Sequence, residues 1–95
     1  GHMDEYVQEM MKRIRIKNDT LKAEVQSYIK AALLDLKRSG ANVTDADLVN
    51  PLVFNAAEFY CKWMTNFEGE GEKYEAAYNR ASAALALSQK ESYEN

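Results

Sequence analysis

The sequence predicts an all-α fold, a small bundle of about four helices joined by short loops. Three observations lead there. The 95 residues include one proline and four glycines, too few for the many tight turns of a sandwich or barrel. Alanine, leucine, lysine and glutamate are plentiful, and these are strong helix formers. Apolar residues recur at three- and four-residue steps in four separate segments, with no alternating strand pattern long enough to compete. A chain of this length makes one domain, expected over residues 3–88. Gly1 and His2 read as an expression remnant before a natural start at Met3, and residues 89–95 as a polar C-terminal tail.

The first helix is expected from Asp4 to about Arg15, with Tyr6, Val7, Met10, Met11 and Ile14 as its apolar stripe. Its acids come early and Lys12, Arg13 and Arg15 late, an order that suits the helix dipole. Asn18, Asp19 or Thr20 can cap a second helix. That helix carries Leu21, Val25, Ile29, Ala32, Leu33 and Leu36 and closes on Lys37, Arg38 and Gly40. Residues 41–50 form a polar connection in which Thr44, Asp45 and Asp47 can start a helical turn. Asn50-Pro51 opens the third helix, because proline suits the first helical position. Leu52, Val53, Ala56, Ala57, Tyr60, Trp63, Met64 and Phe67 make it apolar over more than half its circumference, so it is expected at the centre. After the break at Glu68-Gly69-Glu70-Gly71, a last helix is expected from about Glu72 to Ser88, with Tyr74, Ala77, Tyr78, Ala81, Ala84, Leu85 and Ser88 on its stripe.

The composition excludes several function classes. No apolar run approaches the roughly 20 residues that span a bilayer, so no membrane partner is expected. The single cysteine, Cys61, cannot form an internal disulfide, which suits a reducing compartment. Cys61 lies on the predicted central helix, and the only histidine, His2, belongs to the remnant, so no native base stands ready to activate the thiol. Zinc-type sites need several Cys or His ligands, and a calcium loop needs a glycine and a closing glutamate that the Asp45–Asp47 segment lacks. Glu68, Glu70, Glu72 and Glu75 resemble a hard-cation cluster, but acids at a solvated helix start account for them. Gly69 and Gly71 lack the lysine and hydroxyl of a phosphate loop. No enzyme activity, cofactor or metal is expected.

Charge is unevenly placed. From Asp4 to Ser39 there are eight basic and six acidic residues; from Ala41 to Asn95, four basic and nine acidic. Solvated helix faces explain this, as do complementary faces that meet between neighbouring copies. The densest positive region is Lys12, Arg13, Arg15 and Lys17, with Lys22 nearby. It reads as a solvated helix end, a contact for an acidic protein surface, or a phosphate contact with DNA. Tyr60, Trp63, Phe67, Tyr74 and Tyr78 share helical spacing on two adjacent segments and read as core. Phe54 and Phe59 fall away from the main stripe of the third helix, leaving apolar surface for a subunit or partner contact.

Three stretches carry a resemblance to a known family. They are Arg13-Ile14-Arg15-Ile16-Lys17-Asn18-Asp19 leading through Val25 to Tyr28–Leu36, then Asn50-Pro51-Leu52-Val53 leading to Glu58–Trp63, then Tyr74–Tyr78 followed by Leu85–Ser88. In order, spacing and total length they resemble the short head–tail connector (adaptor) proteins of long-tailed phages and prophages, often labelled DNA-packaging or head-completion proteins. The resemblance spans Met3 to about Ser88 and includes no catalytic motif. It implies a helical bundle that assembles as a twelvefold ring beneath the portal protein. Such a ring extends the DNA channel, without sequence-specific binding, and docks the stopper or tail-completion protein. The setting implied is the head–tail junction of the virion, assembled in the bacterial host cytoplasm. By the same resemblance, residues 89–95 reach toward the portal and order on docking. The competing expectation is a small helical DNA-binding or regulatory protein using the basic region from Lys12 to Lys22.

Overall fold

The structure, a computed structural model, describes the backbone of residues 2–94 and side chains as far as Ser88. It contains four helices: α1 (His2–Arg13), α2 (Lys22–Arg38), α3 (Pro51–Met64) and α4 (Gly71–Glu94). Short 3-10 turns at Asp19–Leu21, Asp45–Val49 and Phe67–Gly69 lie in the connections. No strand occurs among the described residues. The chain is therefore the small all-α bundle that its sequence predicts.

Two helix ends share one mechanism. At the end of α2, Gly40 takes φ +111°, while the Ala41 N–H bonds back to the Leu36 carbonyl at 2.9 Å and the Gly40 N–H to Lys37 at 3.1 Å. That is a Schellman closure, in which a left-handed residue turns two free carbonyls onto following N–H groups. At the end of α1 the same pair of bonds forms, Ile16 to Met11 at 2.9 Å and Arg15 to Lys12 at 3.2 Å. Here the left-handed residue is Arg15, with φ +58°. The expected helix through Arg15 thus stops at Arg13, because Arg15 turns the chain instead of extending it.

Side-chain caps order the segments that lead into α2, α3 and α4. Among the three capping candidates before the second helix, Asn18 caps the 3-10 turn Asp19–Leu21 that leads into α2: its Oδ1 accepts from the Thr20 N–H at 3.0 Å and from the Thr20 hydroxyl at 2.8 Å. The Asp47 carboxylate accepts from the Thr44 N–H at 2.7 Å and fixes the turn before α3. Asn50 Oδ1 accepts from the Leu52 N–H at 3.0 Å, with Pro51 in the first turn. Asn66 Oδ1 accepts from the Gly71 N–H at 2.9 Å, so α4 starts at Gly71, one residue before the expected Glu72. Its backbone stays helical to Glu94; the side chains of the tail expected at 89–95 lie outside the described residues.

α3 packs against both α2 and α4, and α1 against α2, so the third helix is central as expected. The core combines Val7, Met10, Met11 and Ile14 with Val25, Ile29, Ala32, Leu33 and Leu36 of α2, and with Val53, Phe54, Ala56, Ala57 and Cys61 of α3. Burying each large apolar side chain contributes about 1.5–3 kcal/mol before entropy is charged against it. Leu52 departs from the predicted stripe: it is 65% exposed.

Candidate functional site

The basic run falls on the end of α1 and the link after it, and most of its charge is used within the chain. Arg13 Nε meets Glu9 at 3.1 Å, its Nη1 meets Glu58 at 2.8 Å, and its guanidinium lies 4.9 Å from the Phe54 ring centre. Arg15 stands 3.8 Å from Glu68 and 5.6 Å from the Phe67 ring centre. Lys22 ties α2 to α1 through Asp4 at 2.6 Å. Lys12 and Lys17 are exposed and engage in no ion pair among the described residues.

Glu58 is the hub of this network. It accepts from Arg13 at 2.8 Å and pairs with Lys62 at 2.9 Å. Burial works to raise its pKa, but hydrogen bonds from Arg13 and Lys62 outweigh burial and hold the carboxyl below its usual range. The Lys62 ammonium in turn lies 4.8 Å from the Phe67 ring centre and 5.3 Å from that of Tyr74. One chain of contacts thus links α1, α3, the loop after α3 and α4.

The two phenylalanines assigned to a subunit or partner surface separate. Phe54 is only 7% exposed and belongs to the core, with its ring 6.2 Å from that of Tyr6. That corrects the expectation of free apolar surface there. α3 is packed by neighbours on more than one side, so the row Phe54, Ala57 and Cys61 is buried as well as the row through Val53 and Ala56. Phe59 is half-buried and walls a shallow groove with Leu52, Asn55, Ala81 and Leu85. Leu34, 69% exposed, Val49, 73% exposed, and Leu87, 57% exposed, are open apolar side chains outside the predicted stripes. Leu34 lies about 100° round the helix from Leu33, a displacement visible in the sequence.

Comparison with protein-family models, curated proteins and solved structures finds no match.

The nucleophile the sequence offers is buried. Cys61 is fully enclosed, and burial, helped by the nearby Glu58 charge, pushes its thiol up to about 12, which disfavours the reactive thiolate. Tyr78, also enclosed, donates from its hydroxyl to Asp35 at 2.6 Å. Burial and that bond to a carboxylate raise the Tyr78 pKa. At Asp35, burial works upward, while hydrogen bonds from Tyr78 and Arg38 pull the pKa below the usual value. The glutamate run does not converge: Glu70 pairs with Lys73 at 3.0 Å, Glu68 faces Arg15, and no group of three Asp, Glu, His or Cys residues suited to a metal occurs among the described residues. No described helix is long and apolar enough to cross a membrane.

Proposed function

We infer that this chain is a head–tail connector subunit of a tailed phage or prophage, which forms a ring beneath the portal, extends the DNA channel and docks the stopper or tail. The observation that carries the reading is the order and spacing of the three stretches Arg13–Leu36, Asn50–Trp63 and Tyr74–Ser88. The helical bundle is consistent with it. So is the way the polar side chains are spent: Arg13 bonds Glu58 and Tyr78 bonds Asp35 across elements, and Lys62 pairs with Glu58 along α3, which suits a structural role.

Association with the portal ring of the same phage tests the reading. Light scattering of the portal with and without this chain should give a mass increase of a full ring of copies. A portal whose mass stays unchanged at high concentrations of the chain removes the proposal. The DNA-binding reading rests on Lys12 and Lys17, which are exposed and without an ion pair among the described residues. It requires duplex binding that weakens steeply with salt, so a flat titration at low salt eliminates it.

A further inference from the structure

The link between α1 and α2 is made of residues that can continue a helix. No glycine or proline stands between His2 and Ser39. Met11, Ile14, Asn18, Leu21, Val25 and Tyr28 follow one another at alternating steps of three and four. The apolar stripe of α1 therefore runs in register into that of α2, with Asn18 as the polar member. The chain turns nonetheless, over residues 14–18. It does so at Arg15, held at φ +58°, where any side chain is disfavoured. No backbone–backbone bond is donated by Lys17, Asn18 or Asp19 among the described residues. Leu21, the stripe member just after the turn, is 36% exposed. The other two links differ: Gly40 and Pro51 interrupt the α2–α3 link, and Gly69 and Gly71 the α3–α4 loop, and these residues oppose a continuous helix.

We propose that the 14–18 link is a hinge that straightens, so that two copies of this chain exchange α1. Straightening joins α1 and α2 into one helix. It releases Arg15 from the left-handed region and gives the N–H groups of Lys17, Asn18 and Asp19 helical carbonyl partners. It also draws Val7, Met10, Met11 and Ile14 out of the core, where all four are buried. The slot they leave selects the second copy, because its shape is that of α1. Its rim carries Lys22 and Glu58, which in the closed chain hold Asp4 at 2.6 Å and Arg13 at 2.8 Å. A second straightened copy supplies the same side chains and re-forms the same bonds across the pair. Contacts outside the hinge are kept, so the hinge and the concentration set the balance between the two forms. The closed turn is favoured by the Asn18 cap on Thr20 and by the Ile16 N–H on the Met11 carbonyl at 2.9 Å. The exchange is reciprocal and closes at two copies, so it is not the ring of the connector reading and stands without it.

The full chain, warmed to its melting midpoint and cooled at about 1 mM, the weak end of specific association, tests the exchange. Light scattering should show a dimer that returns to monomer only slowly on dilution, because α1 must leave the core to go back. Arg15→Ala keeps the left-handed strain and favours helix, so it should dimerise at least as well as the parent. Arg15→Gly relaxes the closed turn and weakens the straight helix. It should raise the dimer dissociation constant about tenfold for each hinge, hence about a hundredfold for the pair. A short bismaleimide separates exchange from side-by-side pairing. With Asp4→Cys and Lys22→Cys in the same chain, it should join two chains in the dimer and stay within one chain in the monomer. The enclosed Cys61 should not compete for the reagent. A parent and an Arg15→Ala variant that both stay monomeric, a dimer linked only within its chains, or an Arg15→Gly variant that dimerises like the parent overturns the exchange.

Discussion

Glu58 sits between two cations from different parts of the chain, Arg13 at 2.8 Å and Lys62 at 2.9 Å. Replacing it by alanine leaves Lys62 without its carboxylate and Arg13 with Glu9 alone, so Glu58→Ala should cost about 1–3 kcal/mol, read by urea denaturation. The same carboxyl carries a pH signature. The Glu58 pKa lies below its ordinary value of 4.5 when folded, and that of Asp35 below 3.8. The unfolded chain therefore binds more protons in the acid range, and stability rises with pH there. It is fully present above those ordinary values and lost as pH falls through the lowered ones. Melting temperature should fall as pH drops below about 4.5, and Glu58→Gln should remove part of that slope. At the alkaline side Cys61 acts in the opposite direction. Its folded pKa is raised from 9.0 to about 12, so stability from the protonated thiol is lost as pH climbs through that interval. A thiol reagent near neutral pH should label Cys61 only as fast as the protein opens; rapid labelling of the native protein would contradict the burial.

At the scale of elements, backbone geometry decides more than propensity. Arg15 holds the left-handed position that closes α1, where a side chain costs about 1–2 kcal/mol relative to glycine. Comparing Arg15→Gly with Arg15→Ala isolates this, since both remove the guanidinium from Glu68 and Phe67. The glycine variant should be the more stable by about 1 kcal/mol in denaturant titration; equal stabilities would mean the turn relaxes. Gly71 is constrained differently: a Cβ there would stand 2.7 Å from Asn66 Oδ1, the atom that caps the Gly71 N–H. Helix existence and order were legible in the sequence because periodicity and end signals agreed, as at Asn50-Pro51 and at Gly40. The early stop of α1 was not, because no local signal marks an arginine that adopts a glycine-like conformation. The candidate contact residues were legible only in part. Phe54 looked surplus because the stripe was drawn for one packed side, whereas α3 is enclosed on several. The pairing of Arg13 with Glu58 crosses 45 residues, and only the tertiary fold brings those two side chains together.

For the whole molecule, the shape governs how stability is shared. The Cα radius of gyration is 13.2 Å and the extents are 45 × 32 × 18 Å, against about 12 Å expected for a compact chain of this length. A flattened bundle has little interior, and α4, which packs along α3, reaches it mainly through Tyr78, Ala81 and Leu85. Tyr78 is its one large side chain that is fully enclosed among those described. Its ring lies 5.3 Å from Tyr60 and 6.1 Å from Trp63, and its hydroxyl reaches Asp35 on α2 at 2.6 Å. Tyr78 therefore anchors α4 to α3 and α2 at once, while most of the other fully buried apolar side chains belong to α1, α2 and α3. Elements that bury few large side chains can open at lower free energy than the global transition. Tyr78→Phe removes only the bond to Asp35 and should cost about 1–3 kcal/mol. Tyr78→Ala also removes the ring, and losses of about 3–5 kcal/mol are typical of large aromatic truncations. In that variant the amides of α4 should exchange with solvent well before those of α2 and α3, and Trp63 emission should shift to the red as its neighbour disappears. Uniform loss of protection across all four helices would instead mean that the bundle opens as one unit and that α4 is no separate lever on it.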